Sequence, residues 1–191
     1  MNQVDIYNPN RRALRRAGWI MACVAGLLAA ACTVSYLADS AKLHRIAQQA
    51  TRGIPKDSEK VVALMDWVHN NKGFRENDSF FVLKRLRATP LQVLQTGGDC
   101  ADKSRLLCAM LREVGIQSTM VMCFHRITGV ATHTVVEAET DDGAFMVVDP
   151  VYGLYFPKSK QGGFYSLLEL RADPKILDRR LADLLVSAPR R

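Results

Sequence analysis

Three residues of this sequence have the side-chain types that nucleophilic attack on a carbonyl group requires, namely Cys100, His133 and Asp149. A cysteine attacks as its thiolate, so it needs a histidine that accepts its proton and an acceptor that orients that histidine. Cys100 lies in the stretch GGDCADKSRLL, between two glycines and an amphipathic run. Its three alternative roles are a nucleophile, a buried structural thiol, and a redox or metal ligand.

The segment from Cys100 to about Glu113 is predicted to be a helix. Its apolar stripe at helical spacing consists of Leu106, Leu107, Met110 and Leu111. Asp99 is expected to cap the N-terminus, where partial positive charge and unpaired N–H groups stabilise a thiolate. Gly97 and Gly98 would let a substrate backbone approach, and the N–H of Cys100 would help to bind an oxyanion. This position suits a nucleophile.

The pattern changes after this helix from helical spacing to strands. Strand candidates are STMVMCF (118–124), THTVVEAE (132–139) and AFMVVD (144–149), separated by the turn sequences HRITG and TDDG. Helices followed by an antiparallel meander indicate an α+β domain in which helices pack on the sheet.

The predicted hairpin brings His133 and Asp149 together without any motif knowledge. With TDDG as the loop, His133 faces Pro150, and a loop that differs by one residue places His133 opposite Asp149 or Val151. Their Cβ atoms are then roughly 5–8 Å apart. The other histidines suit this role less well, since His44 and His69 are expected to be solvated and His125 lies at a turn.

Three further helices are predicted around this core. Asp57 or Ser58 caps the first, which extends to about Asn71, and its buried face consists of Val61, Leu64, Met65 and Val68. Thr89 and Pro90 begin a short second helix, LQVLQ. The closing helix, DPKILDRRLADLLV, is expected to pack on the sheet through Ile176, Leu177, Leu181, Leu184 and Leu185. Residues 74–88 receive no assignment.

The N-terminal region has the composition of a membrane segment. Residues 17–38 form an uncharged stretch of 22 residues, and about 20 residues span a bilayer as a helix. A single-pass anchor is favoured over a cleaved signal peptide with a site at 29–31 and over lipidation of Cys32. The predicted organisation is a basic segment (1–16), a transmembrane helix or uncleaved signal anchor (17–38), a spacer (39–56) and a domain (57–191).

The charges before the span favour one orientation. The four arginines that precede it are Arg11, Arg12, Arg15 and Arg16, and they favour a cytoplasmic N-terminus. The domain would then be periplasmic or otherwise extracytoplasmic, although Lys42, Arg45 and Arg52 beyond the span weaken this inference.

Composition narrows the remaining function classes. The net charge of +7 comes without a basic helix interleaved with aromatics, so no nucleic-acid partner is predicted. The five cysteines include no C-x-x-C pair, so they form neither a zinc-knuckle nor a thioredoxin-type motif. No metal or cofactor is expected. Cys108 and Cys123 are expected to fill the core, with a disulfide between them as the less favoured alternative.

Residues 57–156 resemble the transglutaminase-like superfamily. The resemblance is carried by GGDCADKSRLLCAMLREVGIQSTMV, then THTVVEAE, then FMVVDPVYG, in that order and at suitable spacing. It implies a papain/transglutaminase-like core with Cys100 as nucleophile, His133 as general base and acid, and Asp149 as the orienting carboxylate. Val135 departs from the family, which often has an aromatic residue there. The second oxyanion donor stays open between Gln92 and Gln95.

The resemblance implies a small bacterial, membrane-anchored cysteine hydrolase or acyltransferase. Attack by Cys100 on an amide or ester carbonyl would give a thioester. Water as acceptor makes a peptidase or amidase, and an amine makes a transglutaminase. Expected partners are the membrane, through residues 17–38, a peptide or protein substrate, and an envelope protein. The alternative is a non-catalytic binding or assembly module of a membrane complex.

Overall fold

The computed structural model describes residues 9–75, 89–158 and 162–180. The chain divides into two units, Met1–Ala41 and Lys42–Arg191. The candidate site lies wholly in the second unit.

The first unit is helical and apolar. It contains most of helix α1 (Pro9–Ala50), and its large apolar side chains, among them Trp19, Leu27 and Tyr36, are exposed. Arg16–Ala50 is long and apolar enough to cross a membrane, with a mean hydropathy of 2.1 in its most apolar window. Signal sequences share this length and composition, so the helix by itself is consistent with an anchor and with a signal sequence.

The end of α1 belongs to the core of the second unit. Leu43 and Ala47 are buried there, and Ile46 and Ala50 pack against the same core. The spacing of these four residues is that of one helical face. All four residues lie within the segment predicted as a spacer (39–56), so part of that segment packs in the core.

Helix α2 (Asp57–Asn71) has the predicted buried face of Val61, Leu64, Met65 and Val68. The predicted cap was wrong, since the N-cap residue is Lys56 and its side chain makes no capping bond. Asp57 instead lies in the first turn, where its backbone N–H donates to Asp141 Oδ2 at 2.7 Å. Its negative charge still favours the positive end of the helix.

Helix α3 (Pro90–Thr96) begins where predicted, at a capping box. The N–H of Gln92 donates to the Thr89 hydroxyl at 3.3 Å, and the N–H of Thr89 donates to Gln92 Oε1 at 2.9 Å. These reciprocal bonds satisfy two N–H groups that lack helical partners. The side chain of Gln92 is thereby held at the start of α3.

Helix α4 (Cys100–Glu113) starts at Cys100, and Asp99 caps it as predicted, with Oδ1 accepting from the N–H of Asp102 at 2.9 Å. The predicted apolar stripe is buried, consisting of Leu106, Leu107, Met110 and Leu111. The preceding glycine turn packs on residues 73–75, where the N–H of Arg75 donates to the Gly98 carbonyl at 3.1 Å. The start of α4 is therefore fixed from both sides.

The sheet is an antiparallel meander, which confirms the α+β class. Its strands, in spatial order, are β1 (Ser118–Phe124), β2 (Ala131–Glu139), β3 (Phe145–Asp149) and β4 (Leu154–Tyr155). Only β4 was not predicted. Helix α5 (Leu167–Ala172) follows, and residues 175–180 are helical. Ile176 is buried while Leu177 is exposed, and the predicted contacts of Leu181, Leu184 and Leu185 lie outside the described residues.

Two apolar clusters hold the sheet. The larger contains the buried faces of α2 and α4 together with Val136, Ala138, Met146 and Val148. The smaller contains Val135, Val147 and Phe156, against which Leu167 and Leu170 of α5 pack. Because alternate strand residues point to opposite faces, each cluster covers one face of the sheet.

We expect Gly97→Ala to lower the free energy of unfolding more than Gly115→Ala does. Both glycines have a positive φ, 79° and 82°, and the ψ of Gly97, −172°, puts it in a region essentially restricted to glycine, which costs other residues about 1–3 kcal/mol. Only at Gly97 would the added Cβ meet a neighbour, the Gly73 carbonyl oxygen at 2.6 Å, whereas nothing lies within 4 Å at Gly115. The clash should add about 1–3 kcal/mol. Denaturant unfolding of the detergent-solubilised chain, followed by circular dichroism, measures both; equal losses would contradict the predicted clash.

Candidate active site

The pairing register of β2 and β3 places His133 and Asp149 on one face of the sheet. Val136 pairs with Val148 and Glu137 with Val147. Continued by one pair, this register puts Asp149 opposite Val135, two residues from His133, and residues two apart share a face. The register that a four-residue TDDG loop gives would have put the two side chains on opposite faces.

The loop between β2 and β3 is one residue longer than TDDG, which is the predicted alternative that places His133 opposite Val151. Asp142 Oδ1 accepts from the Thr140 hydroxyl and from the N–H of Ala144 at 3.2 Å. The N–H of Thr140 donates to the Ala144 carbonyl at 2.8 Å. Ala144 is therefore bonded within the loop, and Glu139 pairs with Phe145 instead.

A short hydrogen bond joins His133 to Asp149. His133 Nε2 donates to Asp149 Oδ2 at 2.6 Å, with the imidazole three-quarters buried and the carboxylate buried. The other carboxylate oxygen, Oδ1, accepts from the backbone N–H groups of Val151 at 2.8 Å and Tyr152 at 3.2 Å. These three bonds compensate the burial of the charge, and Nδ1 is the ring nitrogen of His133 that does not bond the carboxylate.

Asp149 also changes the basicity of His133. The hydrogen bond is the largest influence and raises the pKa of His133 above its ordinary 6.5; burial lowers it, and the negative charge of Asp149 raises it further. The Tyr152 ring flanks the imidazole, with ring centroids 5.4 Å apart. A raised pKa makes His133 a stronger proton acceptor.

Cys100 and the His133–Asp149 pair share one neighbourhood. One helical turn after Cys100, the Ser104 hydroxyl donates to the Thr134 carbonyl at 3.1 Å, beside His133. On β1, Cys123 is the direct strand partner of His133. Burial raises the pKa of the Cys123 thiol, and the charges of Asp149 and Cys100 raise it further. Half-buried Cys100, at the start of α4, therefore lies in the same part of the domain as the strand partner of His133.

His69 is not solvated as predicted. Its half-buried ring donates from Nδ1 to the Val151 carbonyl at 2.9 Å, 82 residues along the chain. Lys103 is also buried, and its ammonium donates to the carbonyls of Val68 and His69 at 3.3 and 3.1 Å. Burial lowers the pKa of Lys103. Neither contact has a sequence signal, because each joins helix α2 to a distant segment.

The other histidines, glutamines and cysteines considered from the sequence lie in contacts that do not include the His133–Asp149 hydrogen bond. His125 lies at the β1–β2 turn, where its ring accepts from the N–H of Thr128 at 3.3 Å, and His44 Nδ1 is 3.4 Å from Glu113 Oε2. Gln95 is exposed, and Gln92 is held in its capping box. All five cysteines are free thiols, so Cys108 and Cys123 form no disulfide. Within the described ranges, no group of three His, Cys, Asp or Glu residues could hold a metal ion.

Comparison with known families identifies the domain. The sequence profile of the transglutaminase-like superfamily matches residues 44–150, more than half of the chain. The chain belongs to the transglutaminase-like superfamily. The match confirms the resemblance and begins within the end of α1, so it includes buried Ala47. Val135, the departure from the family, packs with Val147 and Phe156, so an aromatic ring adjoins this position from elsewhere in the chain.

Solved structures similar to this transglutaminase-like chain include proteins from Cytophaga hutchinsonii and Parabacteroides distasonis. A proposed cysteine protease from Cytophaga hutchinsonii is 21% identical, with a TM-score of 0.49 over 59% of this chain and 37% of that one. A proposed protease from Parabacteroides distasonis is 18% identical, with a TM-score of 0.45 over 60% and 26%. The chain thus covers well under half of either protein. No curated protein matches it.

We expect Asp149→Asn to lower the pKa of His133, because both influences that raise it come from the carboxylate and burial remains. In the parent, the pair stabilises the folded protein at pH values below 6.5, and this contribution is lost as the pH rises through the raised pKa. The variant should lack that pH dependence. NMR titration of the His133 ring tests this.

Asp142→Asn is the matched control for the Asp149 substitution, since Asp142 lies in the exposed β2–β3 loop. It should leave the titration of His133 at its parental position. A parental titration in the Asp149 variant as well would contradict the assigned cause.

Proposed function

We propose that this chain is a membrane-anchored cysteine hydrolase or acyltransferase that acts through a thioester on amide bonds of peptide-like substrates. The observation that carries the proposal is the 2.6 Å hydrogen bond between His133 Nε2 and Asp149 Oδ2. It leaves Nδ1 of the same ring for a thiol, and Cys100 begins the helix that packs beside this pair. Membership of the transglutaminase-like superfamily supports the same assignment.

The first half of the proposed reaction makes the thioester. His133 Nδ1 takes the proton of the Cys100 thiol, and the sulfur then forms a bond to the substrate carbonyl carbon. When the tetrahedral intermediate collapses, the carbon–nitrogen bond breaks and the imidazolium gives its proton to the leaving amine. Asp149 keeps the ring in the tautomer that carries a proton on Nε2 and stabilises the imidazolium.

The start of α4 is suited to the oxyanion of this intermediate. N–H groups in the first turn of a helix have no helical acceptor, and the helix dipole favours negative charge there. We assign the N–H of Cys100 as one donor. The glycine turn before it, buried at Gly97 and Gly98, carries no side chain that would obstruct a substrate carbonyl.

The second half of the reaction releases the acyl group. Water, deprotonated by His133, attacks the thioester carbon, and the sulfur leaves with the proton from the imidazolium, which restores the thiol. An amine in place of water gives acyl transfer by the same steps. His133 can serve both acceptors, so the acceptor present at the site decides between a peptidase or amidase and a transglutaminase activity.

The proposed location is the periplasm or cell envelope. Arg16–Ala50 has the length and composition of a spanning helix, and the basic residues before it favour a cytoplasmic N-terminus. The domain would then meet peptide-like substrates on the extracytoplasmic side.

We expect iodoacetamide to alkylate Cys100 near neutral pH and His133→Ala to slow this alkylation by about 100-fold, the usual scale of a lost general base. Peptide mapping by mass spectrometry reads each cysteine separately. Cys108 and Cys123 serve as internal references, because burial raises the pKa of both thiols and keeps them protonated. Cys100→Ala should abolish labelling of that peptide.

His125→Ala is the matched control, because it removes an exposed histidine from the adjoining hairpin and should leave Cys100 labelling unchanged. If His133→Ala also leaves the rate unchanged, the cysteine-enzyme proposal is wrong. The non-catalytic assembly module then becomes the better interpretation.

We expect a C-terminal alkaline phosphatase fusion of the full chain to be active in a bacterial host, because this reporter folds only outside the cytoplasm. The fusion should stay in the membrane after alkaline carbonate extraction, since a spanning helix resists it. A β-galactosidase fusion, which needs the cytoplasm, is the control and should be inactive. The reverse pattern would place the domain in the cytoplasm.

A further inference from the structure

His69 is held against the turn that follows Asp149. Its Nδ1 lies 2.9 Å from the Val151 carbonyl oxygen, and since a carbonyl can only accept, Nδ1 carries the proton. Gly153, at φ 65°, lies so close to the His69 ring that an added Cβ would be 3.2 Å from His69 Cδ2. The ring is thus confined between a hydrogen bond and a glycine.

The bond from His69 reaches one of the two peptide groups that donate to Asp149 Oδ1, the other being that of the Val151 N–H at 2.8 Å. The carbonyl of Val151 and the N–H of Tyr152 belong to one peptide, and this N–H donates to Asp149 Oδ1 at 3.2 Å. The other oxygen of Asp149 accepts from His133 at 2.6 Å. A hydrogen-bond chain therefore runs from His69 through one peptide to Asp149 and on to His133. Bonds in such a chain polarise and strengthen one another.

The backbone of His69 is fixed in turn by helix α4. Lys103 donates to the His69 carbonyl at 3.1 Å and to the Val68 carbonyl at 3.3 Å, and Lys103 is 3% exposed. Lys103 is three residues after Cys100, in the same first turn of α4. The last turn of α2 thus contacts both the turn that carries Cys100 and the turn that follows Asp149.

We propose that His69 is a positioning residue that orients the His133–Asp149 pair through the Val151–Tyr152 peptide. His69 fixes the carbonyl of this peptide and thereby directs the N–H of Tyr152 at Asp149 Oδ1. Asp149 Oδ2 is then left facing His133. The consequence for Cys100 rests on the function proposed above, whereas the effect on the hydrogen bond between His133 and Asp149 does not.

The first test compares His69→Ala with His69→Asn in the full chain. Asparagine places an N–H donor close to the position of Nδ1, so it should keep the bond to Val151 that alanine loses. We expect His69→Ala to slow Cys100 alkylation by about tenfold, the scale of one lost hydrogen bond. The NMR titration of His133 should shift toward that of Asp149→Asn. His69→Asn should restore both readouts.

A second test displaces the His69 ring by a substitution at Gly153, which lies against it. Gly153→Ala should displace the ring and reproduce both effects of His69→Ala. Gly129→Ala is the control, since Gly129 has nearly the same φ, 64° against 65°, with nothing within 4 Å. This arm keeps the proposal testable if His69→Ala fails to fold.

The readouts separate this inference from the proposed function. A lowered melting temperature with an unchanged His133 titration would show a merely structural role and overturn the proposal, as would an asparagine variant that behaves like alanine. If alkylation of Cys100 in the parent proves insensitive to His133→Ala, the proposed function fails. The titration of His133 in the His69 variants would still decide the positioning role.

Discussion

The register between β2 and β3 is the constraint on which the candidate site depends. Side chains alternate between the faces of a sheet, so a shift of one residue would separate His133 from Asp149. Apolar packing enforces this register on both faces, since Val136 and Val148 must enter the larger core while Val135 and Val147 enter the smaller. The hydrogen bonds of Asp142 stabilise the β2–β3 loop, which is one residue longer than TDDG, as this register requires. A polar pair is thereby positioned by apolar residues.

The other half of the site depends on where α4 begins. Its buried stripe fixes the rotation of the helix against the sheet, and the Asp99 cap fixes its first residue as Cys100. Gly97 permits a close approach to Gly73 that no other residue would allow. The Cys100 thiol is consequently placed at the half-buried start of α4.

Buried polar groups connect these two halves. Asp149 is buried with three hydrogen bonds, and Lys103 is buried against two carbonyls. Each hydrogen-bond partner lost by one of these buried groups would lower the free energy of unfolding by about 1–3 kcal/mol. The end of α2, which carries no residue of the proposed triad, therefore helps to hold both the Cys100 turn and the Asp149 turn.

The sequence by itself determined the superfamily and most of the described elements, although not β4 or α5. The buried faces of α2 and α4, the caps at Thr89 and Asp99, and three of the four strands follow from local periodicity and turn chemistry, which depend on neighbouring residues. Tertiary structure alone decided the five-residue loop, the burial of Leu43 and Ala47, and the contacts of His69 and Lys103. The loop is decided by hydrogen bonds among its own residues, and the burial and the other contacts are decided by groups distant in the chain, which no local sequence pattern identifies.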